Sequence, residues 1–113
     1  MSEHPPDDPQ PPPAVDVRSI GGDPIALERF YLEHLDFVRR FVARRVADPH
    51  VAADLQSEIF LAAMKSATRF DPGKGEPRSW LAGIGQRVVH AHERRSARHW
   101  RAHARDAGRR HLE

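Results

Sequence analysis

Cysteine is absent from the 113 residues. Its absence excludes disulfide staples, thiol nucleophiles and cysteine-ligated zinc, and it fits a reducing compartment. Long apolar runs are missing as well. No stretch approaches the roughly 20 residues that a membrane-spanning helix needs, and the first residues lack the apolar core of a secretory signal. The sequence also lacks a Gly-rich phosphate cradle and a nucleophile paired with a base. A chain this short buries only about 60% of its unfolded surface, which leaves little room for an internal active-site cavity. The expectation is a single soluble, cytoplasmic domain that is not an enzyme, needs no cofactor and does not insert into a membrane.

Net charge is only +2, and its placement says more than its sum. Residues 1–23 hold Glu3, Asp7, Asp8, Asp16 and Asp23 against Arg18 alone, whereas residues 80–113 hold eight arginines against Glu93, Asp106 and Glu113. A polyanion would meet the C-terminal half. Residues 1–23 contain EHPPDDPQPPPAV, too rich in proline and too poor in apolar side chains to fold, and they read as a disordered acidic arm.

Helical periods begin after the arm. Asp23-Pro24 is a start signal, with the acid as cap and proline in the first turn, where its missing N–H costs nothing. A first helix is expected from about Pro24 to Val46, with Leu27, Phe30 or Tyr31, Leu35, Val38, Phe41, Val42 and Val46 turned inward. Arg39, Arg40, Arg44 and Arg45 crowd its end, where the helix dipole favours cations. Asp48-Pro49 repeats the cap and opens a second helix, expected to stop near Thr68. Its inner stripe is Val51, Leu55, Ile59 and Ala62; Asp54, Ser57, Glu58, Leu61 and Lys65 share the outer side. A leucine set among Asp, Ser and Glu marks that side as a docking surface.

The second helix runs into a broken basic loop. Phe70-Asp71-Pro72-Gly73-Lys74-Gly75 is turn chemistry of the type II kind, in which proline fixes one backbone angle and the glycine after it takes a positive φ. Arg69, Lys74 and Arg78 punctuate the loop, and Phe70 and Trp80 bracket it. Cations that track phosphates, interleaved with rings that stack on bases, are the means by which proteins hold unpaired nucleic acid. The plainer reading makes both rings core anchors. A third helix is expected from about Trp80, capped by Ser79, with Leu81, Ile84, Val88 and Ala91 facing inward and Gly83 and Gly85 serving close packing. Arg87, Arg94, Arg98, Arg101 and Arg105 then fall at helical steps and form one edge, with Trp80 on the same side.

At this point the chain resembles a known family. From about Ala26 to Arg98 it is similar to region 2 of bacterial sigma factors of the extracytoplasmic-function group. The likeness rests on Phe30-Tyr31, Phe41-Val42 and Arg45, on Asp54-Leu55 with Glu58 and Phe60, and on Arg69-Phe70-Asp71-Pro72, Gly75, Pro77-Arg78, Trp80-Leu81 and Ile84. It implies an all-α fold of three main helices: residues 1–23 as arm, 24–98 as the helical domain and 99–113 as a basic extension or the start of a linker. It also implies two partners. Asp54, Ser57, Glu58 and Leu61 would dock on the clamp helices of the largest subunit of core RNA polymerase. Arg69, Phe70, Lys74, Arg78, Trp80, Arg87, Arg94 and Arg98 would hold the non-template single strand of the −10 promoter element, with an anti-sigma protein as a further partner. Gln56 and Ser57 replace an aliphatic residue and a Gln of the family pattern, and Arg87 and Ala91 replace an Asn and an acidic or amide residue. The family's second domain, a helix-turn-helix, lies outside these residues.

Flipping a base costs a few kcal/mol and stacking returns about 1–3 per base, so polymerase would have to supply the remaining contacts. Two other readings compete. One is a helical protein-interaction module without nucleic-acid binding of its own. The other is a metal site from His90, His92, His99 and His103, which lacks carboxylate support, so the expectation is no metal.

Overall fold

The computed structural model describes residues 14–112; the Pro-rich stretch up to Pro13, where the disordered arm is expected, lies outside them. Three α-helices follow one another: α1 (Pro24–Ala43), α2 (Pro49–Ser66) and α3 (Pro77–Leu112). No strand occurs among the described residues, and each helix packs on the other two. This is the all-α three-helix bundle expected.

The two acid–proline starts act as read. The Asp23 carboxylate accepts from the backbone N–H of Ile25 at 3.0 Å and of Ala26 at 3.4 Å, and Asp48 accepts from His50 at 2.9 Å. Each satisfies donors that a helix start leaves without partners, while proline occupies the first turn. From α1 the core takes Phe30, His34, Val38, Phe41 and Val42; of the Phe30/Tyr31 alternative, Phe30 is the buried ring and Tyr31 the exposed one. From α2 it takes Ala52, Leu55, Ile59, Phe60 and Ala63, with Val51 and Ala62 only half-buried. The inner stripe of α2 is thus wider than expected, because this helix touches α1 on one flank and α3 on the other.

The expected arm is partly folded. Val17–Ser19 form a 3-10 turn capped by Asp16, and Val17 and Ile20 are 4% and 1% exposed within the core. The turn packs on a second 3-10 turn, Ala67–Arg69, which finishes α2. Gly21 lies so close that a Cβ there would come within 2.9 Å of the Met64 carbonyl oxygen. Disorder as far as residue 23 is therefore incorrect. Val15, Val17 and Ile20 carry enough apolar surface to anchor the segment, although composition averaged over the whole arm hides them.

The loop between α2 and α3 also departs from its expected form. Pro72–Lys74 is a 3-10 turn, with Asp71 accepting from the Gly73 N–H at 2.9 Å, so Gly73 needs no positive φ. The positive φ, 156°, falls on Gly75 instead. α3 then starts at Pro77, two residues before the expected Ser79 cap, with proline in the first turn. Leu81, Ile84, Gly85 and Val89 are its buried positions. A Cβ on Gly85 would lie 2.6 Å from the Phe41 ring, whereas one on Gly83 would meet nothing within 4 Å, so only Gly85 serves close packing. The packed part of α3 ends near His92; all residues from Glu93 to Arg109 are exposed. The helix continues unbroken to Leu112, so the expected boundary at residue 98 is not marked by any change of backbone.

Candidate functional site

α2 presents two usable flanks. Asp54, Ser57, Glu58, Leu61 and Lys65 are all exposed, as their helical positions require. On one flank, Ser57 and Leu61 stand at the rim of a groove shared with α1, about 500 Å³ in volume. Its walls are mostly apolar: Leu27, Tyr31 and Leu35 of α1 face Phe60 and Met64 of α2. The Tyr31 ring leans on Phe60 with centroids 4.8 Å apart, and Tyr31 and Leu61 remain 41% and 49% exposed. The acidic outer side thus adjoins an apolar trough, the combination of charged rim and apolar centre that protein partners use. The helical period of the sequence identified the rim. It could not identify the trough, which exists only where two helices meet.

The other flank of α2 faces α3 across a groove of about 600 Å³, lined by Glu58, Lys65 and Arg69 on one side and by Trp80, Arg87 and Val88 on the other. Trp80 and Arg69 also border a neighbouring recess of about 310 Å³ in the loop, together with Lys74, Gly75 and Ser79. The two hollows share a half-buried indole and the Arg69 guanidinium; the loop recess also holds the acids Asp71 and Glu76 beside Lys74, so the excess of cations lies in the larger groove, where Lys65, Arg69 and Arg87 stand against Glu58. Arg69 and Trp80 border both hollows, Lys74 the loop recess and Arg87 the larger groove. Arg94 and Arg98 lie farther along the exposed part of α3, on the same edge as Arg87 by the helical repeat.

Two expected members of this surface are placed differently. Phe70 is 8% exposed and its ring packs on Trp80 at 5.3 Å; it is the back wall of the loop recess and offers no open face for a base. An aromatic beside a turn satisfies the core first, since burying a ring is worth more than exposing it. Arg78 lies on the other side of α3. Its guanidinium sits 5.6 Å from the Phe37 ring and lines a recess with the end of α1. Positions 78 and 87 are nine residues apart, which on a helix is two and a half turns, so they point in opposite directions.

Acidic and basic residues are linked at one point. Arg95 Nη2 lies 3.8 Å from Glu58 Oε2, both side chains being about half exposed. Such a pair contributes at most about 1 kcal/mol and leaves Glu58 free to exchange partners. His34, which the periodicity did not single out, is 7% exposed, packs against Phe30 with centroids 4.5 Å apart and has no hydrogen-bond partner for Nδ1. Burial holds its pKa below the usual 6.5; Glu33 pulls it upward and Arg78 pushes it further down. His99 and His103 stack with centroids 6.1 Å apart, and no group of three or more His, Asp or Glu suited to a metal ion gathers among the described residues.

The model of the family described as Sigma-70 region 2 matches residues 30–105, more than half of the chain. The chain belongs to the sigma-70 region 2 family. Comparison with curated proteins and with solved structures returned no match. At the level of the family, region 2 is a non-enzymatic transcription-initiation domain concerned with RNA polymerase binding and promoter melting. The match reaches residue 105, so this region 2 domain takes in most of the exposed part of α3 as well as the bundle. No helix among the described residues is long and apolar enough to cross a membrane.

Proposed function

We propose that this region 2 domain acts as part of a sigma factor of the extracytoplasmic-function group, in the cytoplasm, docking on core RNA polymerase through α2 and holding the non-template strand of an opened −10 element through the loop and α3. The observation that carries the reading is that Trp80 borders both hollows, with Lys65, Arg69 and Arg87 outnumbering Glu58 in the larger one. Arg69 and Lys74 surround a recess suited to one flat base, and Arg87 continues into a groove that the strand's phosphates would follow. Trp80 would supply the ring, with Phe70 holding that ring in place from behind. Arg94 and Arg98 would extend the track along α3. Arg78 is left out of it, because it faces the other way.

Polymerase would be met by Asp54, Ser57, Glu58 and Leu61, with the apolar α1–α2 groove taking side chains of the clamp helices. The same groove would suit an anti-sigma protein, whose binding would exclude polymerase from it. The docking assignment is tested by reversing Asp54 and Glu58 to Lys and measuring capture of core RNA polymerase. Loss of capture with an unchanged helical circular dichroism spectrum is expected; undiminished capture would refute the assignment.

A further inference from the structure

Between the last turns of α1 and the first turn of α3 lies a recess of about 430 Å³ into which Arg40, Arg44, Arg45 and Arg78 all project, against only Glu33 and Asp36. Among the described residues no ion pair joins any of the four guanidiniums to a carboxylate. Two are held in place by aromatic rings. Arg45 lies 3.6 Å over the Phe41 ring while its Nη1 donates to the Phe41 carbonyl oxygen at 2.8 Å, and Arg78 stands 5.6 Å from Phe37. The two rings are themselves in contact, with centroids 6.3 Å apart, and make a shelf under the cations. The dipole at the end of α1 accounts for Arg40, Arg44 and Arg45. It does not account for Arg78, which sits in the first turn of α3, where that helix's own dipole disfavours a cation. Four guanidiniums gathered from two helices repel one another until an anion arrives, and planar forks of this kind suit phosphate oxygens.

We propose that this recess is a second phosphate site, holding the sugar-phosphate backbone of a nucleic-acid strand on the opposite side of α3 from the Trp80 groove. That the phosphates come from a nucleic acid rests on the function proposed above; the gathering of unpaired arginines does not. A strand leaving the groove around the start of α3 would be gripped at two places.

The test is the salt dependence of binding of a fluorescein-labelled oligothymidine, measured by anisotropy. Each phosphate contact to a single strand adds about 0.7 to the slope of log affinity against log salt. Arg40→Gln/Arg44→Gln/Arg78→Gln is expected to lower the slope by at least that amount, and the charge-keeping Lys versions of the same three are expected to retain it, separating charge from folding. Arg69→Gln/Arg87→Gln in the groove should lower the slope independently. A recess variant with the full slope, alongside a groove variant that loses it, would overturn the second site and leave the proposed function standing. The reverse pattern would uphold the recess and refute the groove. A wild-type chain with no salt-dependent binding would refute both.

Discussion

His34 is the one polar side chain buried in the core among the described residues. A ring nitrogen without a partner in such a place costs about 1–3 kcal/mol, and burial penalises the charged form further. With the folded-state pKa below 6.5, the unfolded chain binds more protons in the window beneath 6.5. Stability is then full above pH 6.5 and falls as the pH drops through that window toward the lowered pKa. Replacing His34 by Leu, which fills similar space without a polar atom, should raise the melting temperature at pH 7 by the equivalent of about 1 kcal/mol and flatten the acid side of the profile. Thermal melts at several pH values check this; an unchanged acid slope would mean that His34 does not control it. A second contrast between single residues concerns two glycines of α3. Gly83→Ala adds a methyl into open space and should stabilise by up to about 1 kcal/mol through helix propensity. Gly85→Ala drives a methyl into the Phe41 ring and should destabilise by about 1–3 kcal/mol less that same gain.

Among the elements, the starts of α1 and α2 were the most legible feature, because capping is local chemistry, whereas α3 begins at Pro77, ahead of the Ser79 cap. Asp48→Ala should cost about 0.5–2 kcal/mol in a chemical denaturation experiment, since the His50 N–H then loses its acceptor in the first turn of α2. The exposed side of α2 was legible for a related reason: a helix repeats every 3.6 residues, so the pattern alone separates the outer residues from the inner ones. Residues governed by contacts between elements were not legible. Phe60 and Ala63 are buried only because α1 and α3 close on both flanks of α2, and Val17 and Ile20 only because a turn packs on the end of that helix. The loop carries no period, so nothing in the order of Arg69, Lys74 and Arg78 tells that the last belongs to the far side of α3. For Phe70 and Trp80 the sequence offered two fates, core anchor or base platform. Phe70 took the first, and Trp80, half-buried between two hollows, serves as an anchor while keeping an edge open.

At the scale of the whole molecule, the proposed function sets two kinds of partner on the two flanks of one helix. The side toward α1 is a mostly apolar groove with Ser57 and Leu61 at its rim; the side toward α3 sets Lys65, Arg69 and Arg87 against Glu58 around an indole. Because opening a base costs about as much as stacking returns, the second surface is weak unless the first is engaged. Binding of a labelled non-template −10 strand should therefore be many-fold tighter when the domain sits on core RNA polymerase than when it is free. The exposed stretch of α3 from Glu93 to Arg109, about 25 Å of helix at 1.5 Å per residue, adds charge along the same edge without adding a new core.

The central claim is that the groove around Trp80 holds one opened strand. It is tested most directly by the anisotropy of such a labelled strand added to core polymerase carrying either the wild-type domain or Arg69→Gln/Arg87→Gln. A loss of affinity of tenfold or more in the double variant, with polymerase capture intact, is the expected result. Equal affinity in the two complexes would contradict the account.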